Sequence, residues 1–68
     1  MKEYKYRISM KDKETEEYLH LYVWGQNCDE ATHKLSHTLF GVNGQYIWCG
    51  SGPEYDDRGK LISREASL

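Results

Sequence analysis

The sequence has one proline, two cysteines, little excess charge of either sign and no long apolar run. Each shortage excludes something. No stretch approaches the roughly eighteen apolar residues that a membrane-crossing helix needs, so no membrane span is expected. A single Pro beside six Gly is not a collagen-like or low-complexity composition. The N-terminal MKEYKYRISM has no apolar signal core, and Cys28 and Cys49 are too few for a disulfide framework. The expectation is a cytoplasmic protein with reduced, inert and mostly buried thiols. Nine Lys and Arg against eleven Asp and Glu leave a net charge of −2, without the basic surface that duplex nucleic acid favours.

Reaction motifs are missing too. Catalysis needs a nucleophile, a base and an electrostatic cradle held together, and no spacing here supplies all three. Cys28 opens a predicted helix, where the dipole stabilises a thiolate, but no oriented acid accompanies it. GSGP at 50–53 lacks a following helix or a Lys-Ser/Thr pair, so it reads as a turn and not a phosphate loop. Glu30, His33 and His37 share one side of the helix at spacings that suit a metal. With no fourth ligand in view, they read as a solvated polar face. No catalytic residue, metal or cofactor is assigned, and the chain reads as a non-enzyme.

What is present is alternation. In EYKYRISMK, Tyr4, Tyr6, Ile8 and Met10 fall on one face, and Lys5, Arg7, Ser9 and Lys11 on the other. In EEYLHLYVWGQN both faces are apolar or aromatic: Leu19, Leu21 and Val23 against Tyr18, His20, Tyr22 and Trp24. Matching like with like pairs Ile8 with Leu21 and Tyr6 with Val23 in an antiparallel hairpin. A register slipped by two would also keep the faces matched, whereas a one-residue slip would reverse every side chain. The first register leaves Glu14-Thr15 as a two-residue loop. Asp12, Glu14, Glu16 and Glu17 form an acidic tip, read as solubilising.

Asn27 is placed to cap a helix, with Glu30 reaching back three residues later. Cys28, Ala31, Leu35 and Leu39 make one apolar stripe. Gly41 is placed to end the helix, with Val42 folding back on its last turn. Asn43-Gly44 then turns the chain into QYIWCG, a third strand with Ile47 and Cys49 on one face and Tyr46 and Trp48 on the other. Beyond GSGP, a small hairpin is expected around Asp57-Arg58-Gly59, and residues 63–68 as a loose tail.

The sum is one small α+β domain over residues 1–68: β-β-α-β, with a mainly antiparallel sheet of three strands, or four or five, and one helix on one face. One helix covers one sheet face. The other stays open, carrying Lys5, Arg7, Lys11, Tyr18, His20, Tyr22, Trp24 and, from the third strand, either Tyr46 and Trp48 or their neighbours; the candidate site residues are Lys5, Arg7, Tyr18, His20, Tyr22, Trp24 and Trp48. Tyr, Trp and Arg are the residues of interface hot spots, so this face is the candidate partner-binding surface. The reading is a small adaptor, inhibitor or regulator that binds a protein partner or pairs with itself as a homodimer. In size and style alone the chain is similar to accessory proteins of phages and mobile elements. The alternative is single-stranded nucleic acid, with bases stacked on the rings and phosphates tracked by Lys and Arg.

Overall fold

The computed structural model describes residues 1–36, 39–40 and 44–66. The strict alternation of the N-terminal segment yields a long central strand, β1 (Lys2–Asp12). It is followed by β2 (Tyr18–Gly25), α1 (Cys28–Ser36), β3 (Tyr46–Pro53) and β4 (Ser63–Glu65). β2 pairs with one edge of β1, and β3 with the other. β4 is paired to β1 at Lys2–Tyr4 while β3 takes Tyr6–Asp12, so these two strands lie end to end along the same edge. Every pairing is antiparallel. The architecture is the expected small α+β domain, with a four-stranded sheet.

The hairpin register is the one that like-with-like pairing predicts, with Ile8 opposite Leu21 and Tyr6 opposite Val23. The loop is longer than two residues. Asp12 N–H still donates to Glu17 C=O (2.9 Å), so the connection is 13–16. The Asp12 carboxylate holds it, accepting the Glu14 and Thr15 N–H groups at 2.8 and 3.1 Å, while Glu16 takes a left-handed φ of 63° to rejoin the strand. Gln45 Nε2 donates to the other Asp12 oxygen at 3.0 Å. Those backbone bonds, with Gln45 behind them, hold the Asp12 carboxyl below its ordinary range, although burial opposes them.

The helix starts where the cap predicts. Asn27 Oδ1 accepts the Glu30 N–H at 2.8 Å, and Glu30 Oε2 accepts the Gln26 N–H at 2.9 Å, one residue further back than a capping box reaches. A helix of nine residues is not stable alone and depends on docking. It docks through Ala31, which is fully buried and packs onto Gly25. A Cβ at Gly25 would lie 3.0 Å from the Ala31 backbone nitrogen, so glycine there permits the close approach. Past the helix, Tyr46 N–H donates to Leu39 C=O and ties β3 to the returning chain. His37, Gly41, Val42 and Asn43, and with them the expected helix stop, lie outside the described residues.

The core is very small. Among the described residues the buried apolar ones are Ile8, Met10 and Ala31, flanked by half-buried Tyr6, Leu19, Val23, Leu35, Leu39, Phe40 and Tyr46. Burial pushes the Tyr6 phenol up, assisted by the Cys28 thiol and Tyr4 beside it. Leu21 lies on this same face but stays 36% exposed, on the edge strand β2. The molecule is a thin slab, 36 × 28 × 14 Å. Its radius of gyration of 13.0 Å exceeds the about 11 Å expected of a compact chain this long.

Three expectations, two for the C-terminal half and one for the thiols, need correction. GSGP continues β3 through Gly50, Ser51, Gly52 and Pro53 and does not break it. Pro53 is tolerated because it stands at the end of an edge strand. Ser63–Glu65 is strand and not tail, with Ala66 N–H donating to Met1 C=O at 2.8 Å. Cys49 is exposed at the bulge opposite Ser9/Met10, and Cys28 is half-buried, so the thiols are free but not hidden in the core. The 54–62 hairpin forms as expected. Tyr55 bridges Leu61, Gly59 takes φ 78°, and the Asp56 side chain accepts the Arg58 and Lys60 N–H groups.

Candidate functional site: the open sheet face

Because side chains alternate, the β1 residues that do not face the helix are Glu3, Lys5, Arg7, Ser9 and Lys11. Their β2 partners are Trp24, Tyr22, His20 and Tyr18, in the pairs Lys5–Trp24, Arg7–Tyr22, Ser9–His20 and Lys11–Tyr18. Six of the seven residues singled out from the sequence therefore share one face: Lys5, Arg7, Tyr18, His20, Tyr22 and Trp24. Tyr18 and Tyr22 are 70% and 53% exposed.

Trp48 is the seventh, and it lies on the other side. It is opposite Met10 and so belongs to the helix-covered face, where its indole N–H donates to Ser51 Oγ at 2.8 Å. The bulge at Cys49 sits just beyond it: Ile47, Gly50 and Gly52 are the β3 residues on the open face, and no alternation rule spans that extra residue. Ile47, 50% exposed and opposite Lys11, takes the place expected for Trp48.

The rings and cations interlock, diagonally for Lys5 with Tyr22 and directly across the strands for Lys11 with Tyr18. Lys5 Nζ lies 4.7 Å from the centre of the Tyr22 ring, and Lys11 Nζ 5.8 Å from that of Tyr18. The guanidinium over Trp24, at 4.5 Å, is Arg64 of β4, in the segment expected to be a loose tail. No local pattern could have found it, because its place follows from pairing across the whole chain: Arg64 stands opposite Glu3 and bonds its carboxylate at 3.2 Å. Lys34 reaches the same carboxylate at 3.6 Å. Ser9 Oγ and His20 Nδ1, 2.9 Å apart, fix the imidazole in the middle of the face. Each cation–ring contact contributes about 0.5–1 kcal/mol at an exposed site, so the rings are held rather than loose.

The β3 side of the face is bare. Gly50 and Gly52 stand opposite Ser9 and Arg7, and a Cβ on either would meet nothing within 4 Å. Neither has a left-handed φ. The face is thus a shallow trough: aromatic rings on β2, cations along β1, an uncovered backbone strip on β3, and Ile47 at one end. Its charge is opposite to that of the hairpin tip.

On the helix side, a separate groove of about 440 Å³ runs between α1 and β3, lined by Cys28, Asp29, Thr32, His33, Trp48 and Ser51. Thr32 Oγ1 and Ser51 Oγ, 2.8 Å apart, tie its walls together. Among the described residues no group of three His, Cys, Asp or Glu side chains could hold a metal ion. No described helix is long and apolar enough to cross a membrane.

Fold and face together define a class: a small α+β domain whose sheet is covered by a helix on one side and open on the other. Comparison with family models, curated proteins and solved structures finds no match for this chain.

Proposed function

We propose that this chain is a non-enzymatic protein-interaction module, an adaptor, inhibitor or regulator, that docks a protein partner on the open sheet face. The observation that carries the reading is the pair of glycines at 50 and 52. Glycine within a strand costs about 0.5–1 kcal/mol relative to alanine. Here it relieves no close contact and serves no left-handed turn. What two such glycines leave is a flat strip onto which another chain can press its surface. Beside it stand Tyr18, Tyr22, Ile47 and Arg7, exposed and rich in hot-spot residue types. The cations Lys5, Arg7 and Lys11 favour a partner surface that is apolar at its centre and acidic at its rim.

Single-stranded nucleic acid fits the same face less well. Cations of the chain itself already lie over the rings of Tyr18, Tyr22 and Trp24, on which bases would have to stack. The overall charge of −2 gives little drive toward phosphate.

The test is capture of the partner from the source cell with and without nuclease, then titration of the purified pair. Gly52→Leu fills the strip without touching the fold, and Tyr22→Ala removes a central ring. Each should weaken binding by ~2 kcal/mol or more, while thermal unfolding of Gly52→Leu stays close to that of the parent. A complex indifferent to both variants would sink the proposal, as would micromolar binding of a short oligonucleotide that Tyr22→Ala abolishes.

A further inference from the structure

The two long edges of the sheet are treated differently. The β3 edge carries a bulge at Cys49 and a proline at 53, devices that discourage a further strand. The β2 edge carries neither. Its sequence YLHLYVWG has no Lys, Arg, Asp, Glu or Pro in eight residues, and its pairing with β1 is regular throughout. For a free edge this is the unguarded pattern.

The direction of its backbone groups follows from the other side of β1. Lys5 N–H donates to Ile62 C=O and Lys5 C=O accepts from Glu54 N–H, so Lys5 spends both groups away from β2. Its opposite, Trp24, must then point its own N–H and C=O outward, and by alternation so must Tyr22, His20 and Tyr18. The Lys34 ammonium on Trp24 C=O agrees with this and closes that end of the edge. Tyr18, His20 and Tyr22 have no backbone partner on their outer side among the described residues. The edge also leaves Leu21 36% exposed on the helix side.

We propose that the β2 edge is a homodimer interface, where two copies pair antiparallel about a two-fold axis at His20 and fuse their sheets into one. This pairing is independent of what docks on the open face. The register is set by the outward groups: Tyr18 meets Tyr22 of the second copy, His20 meets His20, and each pair exchanges both backbone bonds. Trp24 is left to Lys34. On the helix side Leu21 of each copy lands opposite Leu19 of the other, which covers an apolar side chain that one chain leaves wet. The strand has no charge to repel its own copy. Antiparallel pairing also brings the acidic Glu16–Glu17 end of one β2 to the other copy's Trp24 end, where Lys34, Arg64 and Lys5 gather. A second copy therefore fits in backbone direction, apolar cover and charge.

Sedimentation combined with amide exchange tests this on the intact chain. In the monomer Leu19, Leu21 and Val23 amides are protected and those of Tyr18, His20 and Tyr22 exchange freely. With rising concentration the chain should become dimeric, and the second set should slow by ~10-fold or more as its bonds form. His20→Pro removes an N–H that the monomer does not use and should abolish the dimer. Leu21→Lys, a charge on the exposed edge, should do the same by a different route. A chain that stays monomeric at millimolar concentration overturns the proposal and leaves the edge to an extended segment of another protein. A dimer that survives both variants but is lost in Arg7→Glu overturns it too, because that dimer is face to face.

Discussion

Ile8 and Leu21 face each other across the hairpin, are both aliphatic and lie on the same side of the sheet. They should nevertheless differ sharply when truncated. Ile8 has no exposed surface and belongs, with Met10 and Ala31, to the buried core among the described residues, whereas Leu21 is 36% exposed at the edge. Truncation of a fully buried aliphatic side chain costs ~2–5 kcal/mol, and Ile8→Ala belongs in the upper half because a two-layer slab has little to collapse into the hole. A chain of this length has about 3–10 kcal/mol of total stability, so Ile8→Ala should remove about a third of it or more. Leu21→Ala removes a partly hydrated side chain and should cost ~1 kcal/mol. Urea unfolding followed by tryptophan fluorescence, at a concentration where the chain sediments as a monomer, gives both numbers. Equal large losses in the monomer would refute the reasoning, since they would mean that the helix side covers Leu21 after all. At higher concentration, the Leu21→Ala deficit should grow if the edge pairs with a second copy.

Gly25→Ala should destabilise by ~1–3 kcal/mol, because the added carbon meets the Ala31 backbone, which cannot rotate away; chemical unfolding measures it, and a neutral result would mean that helix and strand separate easily. Asp12 has a lowered folded-state pKa, so its contribution is complete above its ordinary value of 3.8 and is lost as pH falls through the lowered one. The stability gap between the parent and Asp12→Asn, measured from pH 7 downward, should therefore hold until about pH 4 and close below it. Cys49 should react with a thiol reagent in the folded protein, and Cys28 more slowly, which inverts the expectation that both are hidden. Peptide mapping of the labelled chain reads the order, and labelling of neither until denaturant is added would place the bulge differently.

Much of the first half of the molecule was readable from its residues. Period-two alternation in β1 and β2 admits few registers, since a slip by one exchanges a buried face for a wet one. The aromatic–basic face follows directly from that register. The helix start was readable as well, because Asn27 and Glu30 act within one turn of chain. The second half was less so. Trp48 was misplaced because a bulge adds a residue between Ile47 and Gly50 that no pattern announces. GSGP has the glycines and proline of a turn by local preference, but an edge position along β1 tolerates them within a strand. Arg64 was missed because its partners Glu3 and Trp24 are distant in sequence.

Alternation and capping are local, with periods of two and of one helical turn, so the sequence by itself determined β1 and β2, the helix start and which β1 and β2 side chains share a face. Which strand lies at an edge, where the bulge falls and how far one short helix reaches are properties of the assembled sheet. The tertiary structure alone decided that β1 is central, that Trp48 turns toward the helix, that Arg64 stacks on Trp24 and that Leu21 stays wet. Those outcomes depend on pairings between residues far apart along the chain, whose free energy is realised only when every strand is in place.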